Sequence, residues 1–209
     1  MSPLLVSLQV AALATVLVVA VGLPCAFWLL RLPPRAARWM EALLLAPLVV
    51  PPSVTGLALL WVLGAHGPLE PAQLLFTRGA AVLASAVIAF PLFLRSARVA
   101  LEAVPQKQLQ LARVLGDSPL RAILRVHLPL ARRGLLGGVA LGFGRAMGEF
   151  GATLMVAGNI PGRTETLALA VYDHALAGED AQAWGAAALL AGVALVVLAL
   201  VARAEGPQP

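Results

Sequence analysis

Long stretches that are almost free of charge constrain this chain more than any other feature. About 20 apolar residues are enough for a helix to cross a bilayer, and five runs approach or exceed that length, at residues 4–30, 42–64, 79–94, 134–158 and 183–202. Over the whole chain, 60% of the 209 residues are hydrophobic and only 12% are charged. The sequence therefore predicts an all-α integral membrane protein with about five transmembrane helices, in a single domain over residues 1–209.

The distribution of basic residues predicts how these helices cross the membrane. Two segments are rich in them, one after the first apolar run and one after the third. The basic residues of these segments are Arg31, Arg35, Arg38, Lys107, Arg113, Arg121, Arg125, Arg132 and Arg133. The segments 65–78 and 159–182 hold one arginine each. Because basic loops stay in the cytoplasm, we expect the N-terminus outside, a loop at 158–182 on the outer face, and the C-terminus inside, with a short frayed tail at 206–209. The first run lacks a basic start, so we expect a retained helix and not a signal peptide.

Catalytic and nucleotide-binding motifs are not found in the sequence. The single lysine, Lys107, follows a glutamine, so the chain has no phosphate-binding loop of the GxxxxGK[ST] type. Its three histidines and one cysteine show no metal-ligand spacing. The basic residues are spread through short juxtamembrane segments, which disfavours a nucleic-acid interface. We expect no enzyme activity, no metal and no cofactor on this chain, and an intramembrane enzyme is only a weak alternative.

The segment 99–133, which follows the third run, predicts two short helices separated at Gly116. Ser118 is a good helix N-cap, Pro119 suits the first helical position, and Pro129 is expected to end the second helix. One side of that helix carries Leu120, Ile123, Leu124 and His127. Such a helix either lies on the lipid surface or docks into a groove of a partner protein.

A set of residues in this segment resembles the EAA-type loop of the permease subunits of ABC importers, with a glutamine, Gln110, and a leucine, Leu111, at positions where that motif has glutamate and alanine. The resemblance implies that the segment couples the chain to a separate ATPase subunit, which would bind ATP and Mg²⁺. The residues expected in this coupling are Gln110, Ala112, Gly116, Leu120, Ile123, Leu124, Val126, Leu128 and Pro129.

Two further stretches, GEFGATLMVAGNIPGRTETL at 148–167 and APLVVPPSVTG at 46–56, resemble the molybdate permeases within the type-I ABC importers. The resemblance implies a homodimer in a bacterial or archaeal plasma membrane. It also implies two ATPase subunits, a periplasmic or surface oxyanion-binding protein, and import of molybdate or tungstate. Permeases for sulfate or thiosulfate are similar, and an ATP-independent anion channel is an alternative of another class.

The fourth run carries an ion pair on its small-residue face. Arg145 and Glu149 are four residues apart, near mid-membrane, beside the GxxxG pair Gly144 and Gly148. A charge at this depth is expensive, so it should be paired or functional. Two interpretations stay open: a buried ion pair that fixes helix packing, or an arginine that lines an anion passage.

Prolines in the second run give another candidate for the passage. Pro51 and Pro52 remove backbone donors and kink a helix, and Ser53 and Thr55 place hydroxyl groups beside that kink. Uncharged hydroxyls would let an anion pass without trapping it. The alternative is a kink that serves packing alone.

Overall fold

The computed structural model describes residues 1–205, and every regular element in that range is a helix. The expected tail at 206–209 lies outside the described residues. The helices are α1 (Pro3–Leu29), α2 (Pro34–Leu44), α3 (Ala46–Val49), α4 (Pro52–Leu63), α5 (Arg78–Glu102), α6 (Gln106–Val114), α7 (Pro119–Ala122), α8 (Leu128–Met147), α9 (Gly151–Ala157), α10 (Leu167–Leu176) and α11 (Asp180–Glu205). A 3₁₀ turn covers Glu70–Ala72, and a π-helical turn covers Ile123–His127.

Three of the five apolar runs form continuous helices that are long and apolar enough to cross a membrane. They are α1, α5 and the Asp180–Val201 part of α11. The helix α5 begins where Thr77 accepts a hydrogen bond from the backbone N–H of Ala80. It continues eight residues beyond the apolar run, through Arg95 and Arg98 to Glu102.

The other two runs are broken, which corrects the expectation of one continuous helix for each. The second run changes to extended backbone at Val50 and becomes helical again at Pro52. The fourth run stops at Met147 and resumes at Gly151. The proline kink was expected, but the interruption beside Glu149 was not.

The core is built around α5, which packs between α1 and α8. Its side chains are small: ten alanines in the core have no exposed surface, namely Ala11, Ala14, Ala26, Ala80, Ala81, Ala84, Ala89, Ala97, Ala152 and Ala157. Glycines in α8 bring the helices closer still, since a Cβ atom at Gly134 would lie 2.6 Å from that of Ala100. Close packing of small residues is the usual means of helix association in membranes.

The helix α11 contrasts with this core. It packs on α10 and α8, yet none of its apolar 18-residue window is buried within the chain. Large side chains such as Trp184 and Leu195 are exposed along it. Lipid or a second protein must therefore cover most of this helix, because such an apolar surface is stable only away from water.

Candidate functional site

The connection between α5 and α8, residues 103–127, exposes apolar side chains that the chain itself does not cover. We call it the docking segment. Leu120 is 65% exposed and Leu124 is 57% exposed, and both belong to the face that the sequence predicts. Only a few residues of the segment are buried, namely Val104, Ala112, Ala122 and His127. Apolar side chains so exposed on a helix are typical of a surface that a partner covers.

Gly116 makes the turn that separates the two parts of the docking segment. Its φ angle is +95°, which L side chains rarely adopt. The N–H of Gly116 donates to the carbonyl of Arg113, and the N–H of Asp117 donates to that of Ala112, both at 3.0 Å. This is a Schellman motif, which satisfies the last carbonyls of α6. Ser118 then caps α7, as expected, by accepting a hydrogen bond from the N–H of Arg121.

Beyond this turn the chain forms one continuous helical rod, from Pro119 through the π turn to Met147. The expectation that Pro129 ends the second helix was therefore wrong. Pro129 has no N–H to donate to the carbonyl four residues earlier, and the N–H of Leu128 bonds to Ile123, five residues earlier. The helix thus continues past Pro129 by means of a π turn, in which the backbone hydrogen bonds skip one residue.

The π turn also changes where His127 lies. The sequence places His127 on the same face as Leu120 and Leu124, but in the structure it is 7% exposed. The remaining coupling residues divide between the surface and partly buried positions: Gln110, Gly116 and Pro129 are exposed, Ala112 is buried, and Ile123, Val126 and Leu128 are intermediate. The expected docking face therefore consists of Leu120 and Leu124, with Ile123 partly covered beside them.

A second candidate region lies at the two helix breaks. Pro51 and Pro52 cannot donate to the carbonyls of Pro47 and Leu48, so the helical ladder is interrupted there. Both prolines and Ser53 are exposed on the surface of the single chain, whereas Thr55 is buried. The break therefore presents unpaired backbone and one free hydroxyl group at an uncovered surface.

The other break holds the ion pair. The Nη2 atom of Arg145 lies 2.8 Å from Oε2 of Glu149, although the contact is not aligned as a hydrogen bond. Oε1 of Glu149 accepts a hydrogen bond of 2.9 Å from the N–H of Ala152 in the first turn of α9. Glu149 is 2% exposed, while the Arg145 side chain is 28% exposed.

Each charge of this pair stands at a favourable helix end. Arg145 is in the last turn of α8, where carbonyl groups favour a cation. Glu149 precedes α9, where free N–H groups favour an anion. The pair thus satisfies a break in the backbone, and this arrangement favours the structural interpretation over a free arginine in a passage.

The two breaks lie next to each other. A Cβ atom at Gly151 would be 3.4 Å from Cβ of Pro52, and one at Gly56 would be 2.9 Å from Cα of Ala152. The structure therefore brings together the proline kink of the second run and the Glu149 region of the fourth, which the sequence could not relate.

Gly144 and Gly148 do not mediate a close helix contact within the chain. A Cβ atom at Gly144 would meet no atom within 4 Å. Both glycines line an open cavity of about 360 Å³ between α8, α10 and α11, with Ala168 and Leu190. The close approach is made by Gly134 and Gly138 against α5 instead.

Sequence reasoning missed two charged residues that connect distant helices. Glu41 of α2 is buried and forms ion pairs with Arg95, at 2.6 Å, and with Arg98. On the opposite end of α5, Arg78 donates hydrogen bonds to the carbonyls of Arg163, at 2.8 Å, and Gly162. Their partners are more than 50 residues away in the chain, so no local signal could have found them.

Metal chemistry has no visible support in the part of the chain that the structure describes, where no group of three or more His, Cys, Asp and Glu residues could hold an ion. Two acids of the segment 159–182 have local partners: Asp173 accepts a hydrogen bond from Asn159, and Glu179 pairs with His174.

Comparison with known proteins gives a consistent result. Residues 10–204 match the family model described as the binding-protein-dependent transport system inner membrane component. The chain is 39% identical to the molybdenum transport system permease protein ModB of Azotobacter vinelandii, over 93% of this chain and 89% of that protein. It is 38% identical to the putative molybdenum transport system permease protein YvgM of Bacillus subtilis, over 88% and 84%.

Among solved structures, a chain of the MetNI methionine ABC transporter in an inward-facing conformation has a similar fold. The TM-score is 0.78 at 17% identity, and the match covers 96% of this chain and 91% of that one. At this identity the likeness concerns the fold alone.

Proposed function

The chain belongs to the family of binding-protein-dependent transport system inner membrane components and is a multi-pass membrane protein with the type-I ABC importer permease fold. From this premise we propose that it is the transmembrane subunit of an ATP-driven molybdate importer. Relatives at 38–39% identity, aligned over most of the chain, are named molybdenum transport permeases. The observation that carries the proposal is the uncovered apolar face of the docking segment, formed by Leu120 and Leu124.

The partner on that face is a separate ATPase subunit that binds ATP and Mg²⁺. A helix with an apolar face binds in a hydrophobic groove of its partner. The guanidinium groups of Arg121 and Arg125, which flank Leu120 and Leu124, lie 3.9 and 3.7 Å from the carboxylate of Asp117. The continuous rod from Pro119 to Met147 then connects the docked helix directly to the membrane core. A passive channel has no need for such a connection, so the segment favours an energised importer.

The anion passes along a surface that a second copy of this chain completes. Non-helical backbone at membrane depth is tolerated only where protein or a water-filled cavity covers it. At the break, Pro51 is exposed and Val50 is only half-buried in the single chain, so lipid cannot be its environment. A homodimer about a two-fold axis would cover this break and enclose a passage beside Ser53.

Tight anion binding is supplied by another protein, a periplasmic or surface oxyanion-binding protein. The half-buried guanidinium of Arg145, beside the second break, is paired with Glu149 at 2.8 Å, which cancels much of its attraction for a dianion. Hydroxyl groups such as that of Ser53 can replace part of the water around an anion without holding it. The permease is therefore a conduit, and selectivity for molybdate resides largely in the delivering protein.

Reconstitution tests the proposal. The purified chain is assembled in vesicles with its ATPase and its oxyanion-binding protein, and ATP hydrolysis is measured with molybdate, tungstate and sulfate added separately. We expect stimulation by molybdate and tungstate and none by sulfate.

Each alternative has its own outcome. Equal stimulation by sulfate would retain the importer and overturn the choice of substrate in favour of a sulfate or thiosulfate permease. Failure to assemble with any ATPase, together with passive anion flux through the chain alone, would replace the importer by a channel.

A further inference from the structure

His127 fastens the end of the docking segment to the membrane helices. Its Nε2–H donates a hydrogen bond of 3.0 Å to the carbonyl of Leu101, since a carbonyl can only accept. Leu101 lies in the last turn of α5. The last residue of the docking segment, which precedes α8, is therefore hydrogen-bonded to the last turn of α5.

A third helix contributes to this contact. The ring of Phe27 in α1 meets the His127 imidazole edge to face, with centroids 5.2 Å apart and planes at 90°. Leu101 belongs to the main core cluster, and Phe27 packs against that cluster. The imidazole, which is 7% exposed, is thus buried in contact with α1 and α5.

The π turn makes this position mechanically important. The rod from Pro119 to Met147 has its irregular turn at Ile123–His127, which directly follows α7 with Leu120 and itself carries Leu124. An interrupted ladder is the point at which a helix bends most easily. Without a fastening there, force applied to α7 would bend the rod and leave α8 in place.

We propose that His127 is a positioning residue for energy coupling: its hydrogen bond to Leu101 locks the π turn against α5 and α1, so that displacement of the docked helix moves the membrane helices. This inference rests on the proposed function, and it adds a specific group through which ATP-driven motion is passed on. The sequence motif of the EAA-type loop does not single out this position, because it lies between Val126 and Leu128, the two residues that the resemblance uses.

The test compares three substitutions in the complete reconstituted complex. His127→Phe keeps an aromatic ring against Phe27 and loses the donor. His127→Leu loses both the ring and the donor. His127→Gln keeps an N–H near the position of Nε2. Assembly with the ATPase, ATP hydrolysis and molybdate uptake are measured for each variant.

We expect all three variants to assemble and hydrolyse ATP. Molybdate transported per ATP should fall at least about fivefold in His127→Phe and His127→Leu, the size of a typical coupling interaction. His127→Gln should restore most of it.

Wild-type transport per ATP in His127→Phe would overturn the proposal. So would a failure of both apolar variants to assemble while His127→Gln assembles normally, since the bond would then serve folding instead of transmission. A wild-type chain that binds no ATPase would instead contradict the proposed function, so the two failures are distinguishable.

Discussion

The docking segment and the break at residues 148–150 differ in how far the chain itself covers their side chains. The docking segment leaves Leu120 and Leu124 uncovered, whereas the break buries a carboxylate, Glu149, which accepts a hydrogen bond from Ala152 at one oxygen and pairs with Arg145 through the other. The first region exposes apolar side chains that the chain does not cover, and the second places its charges in contact with each other inside the chain. Under the proposed function, the uncovered apolar surface is where the ATPase docks, while the more conspicuous charged pair serves internal packing.

The largest effect on stability is expected at Glu149, within the break at residues 148–150. Glu149→Ala removes the anion beside Arg145 and the acceptor for the N–H of Ala152, so it should lower the free energy of unfolding by about 3 kcal/mol. Glu149→Gln keeps the acceptor and should lose less. Thermal unfolding of the purified chain in detergent measures the loss.

Glu179→Ala is the matched control for this experiment, because it removes a carboxylate from an exposed pair with His174. It should change stability by less than about 1 kcal/mol. Equal loss in the two variants would contradict the description of Glu149 as part of the internal packing.

A smaller effect on stability, with a large effect on assembly, is expected at the docking segment. Leu120→Asp places a charge on the uncovered face and should weaken ATPase binding by at least about 30-fold, which corresponds to a loss of about 2 kcal/mol at an interface centre. The thermal stability of the isolated chain should not change, because Leu120 is exposed. Affinity for the ATPase can be measured by titration in detergent.

Gln108→Asp adds the same charge to α6, at another exposed position in the docking segment. If it weakened binding as much as Leu120→Asp, a general charge effect would explain the result and the apolar face would lose its special role.

The smallest effect is expected at the proline break. Ser53→Ala combined with Thr55→Val removes two hydroxyl groups beside Pro52 and should slow molybdate uptake by about tenfold or less, since one hydrogen bond to a charged group contributes about 1.5 kcal/mol. Val54→Ala, at an exposed neighbour without a hydroxyl group, should leave uptake unchanged. Unchanged uptake in both variants, at normal expression, would exclude these hydroxyls from the passage.

Much of this fold could be predicted because local physics decides it. Uncharged runs predict the continuous helices α1, α5 and α11, and the turn at Gly116 and the cap at Ser118 are specified by residues within a few positions of each other. The kink near Pro51 was predictable for the same reason.

The rest depends on contacts between distant residues. Arg145 and Glu149 fit one helix by spacing, but in the structure that helix breaks where Gly56 packs against Ala152 and Gly151 packs against Pro52. His127 fits an exposed face by periodicity, and a π turn moves it inward. A period of 3.6 residues describes an ideal helix and so cannot report an irregular turn.

The alanine core has a consequence for how this protein can change shape. A methyl group has no alternative rotamer, so the alanines at the contacts among helices α1, α5 and α8 cannot rearrange to a second packing by rotating their side chains. Within the membrane, we expect these three helices to move together as one stiff unit and to bend mainly at the helix breaks near residues 50 and 149. If the importer alternates between inward-open and outward-open states, we expect the change to occur by bending at these two breaks, while the packed helices between them keep their shape.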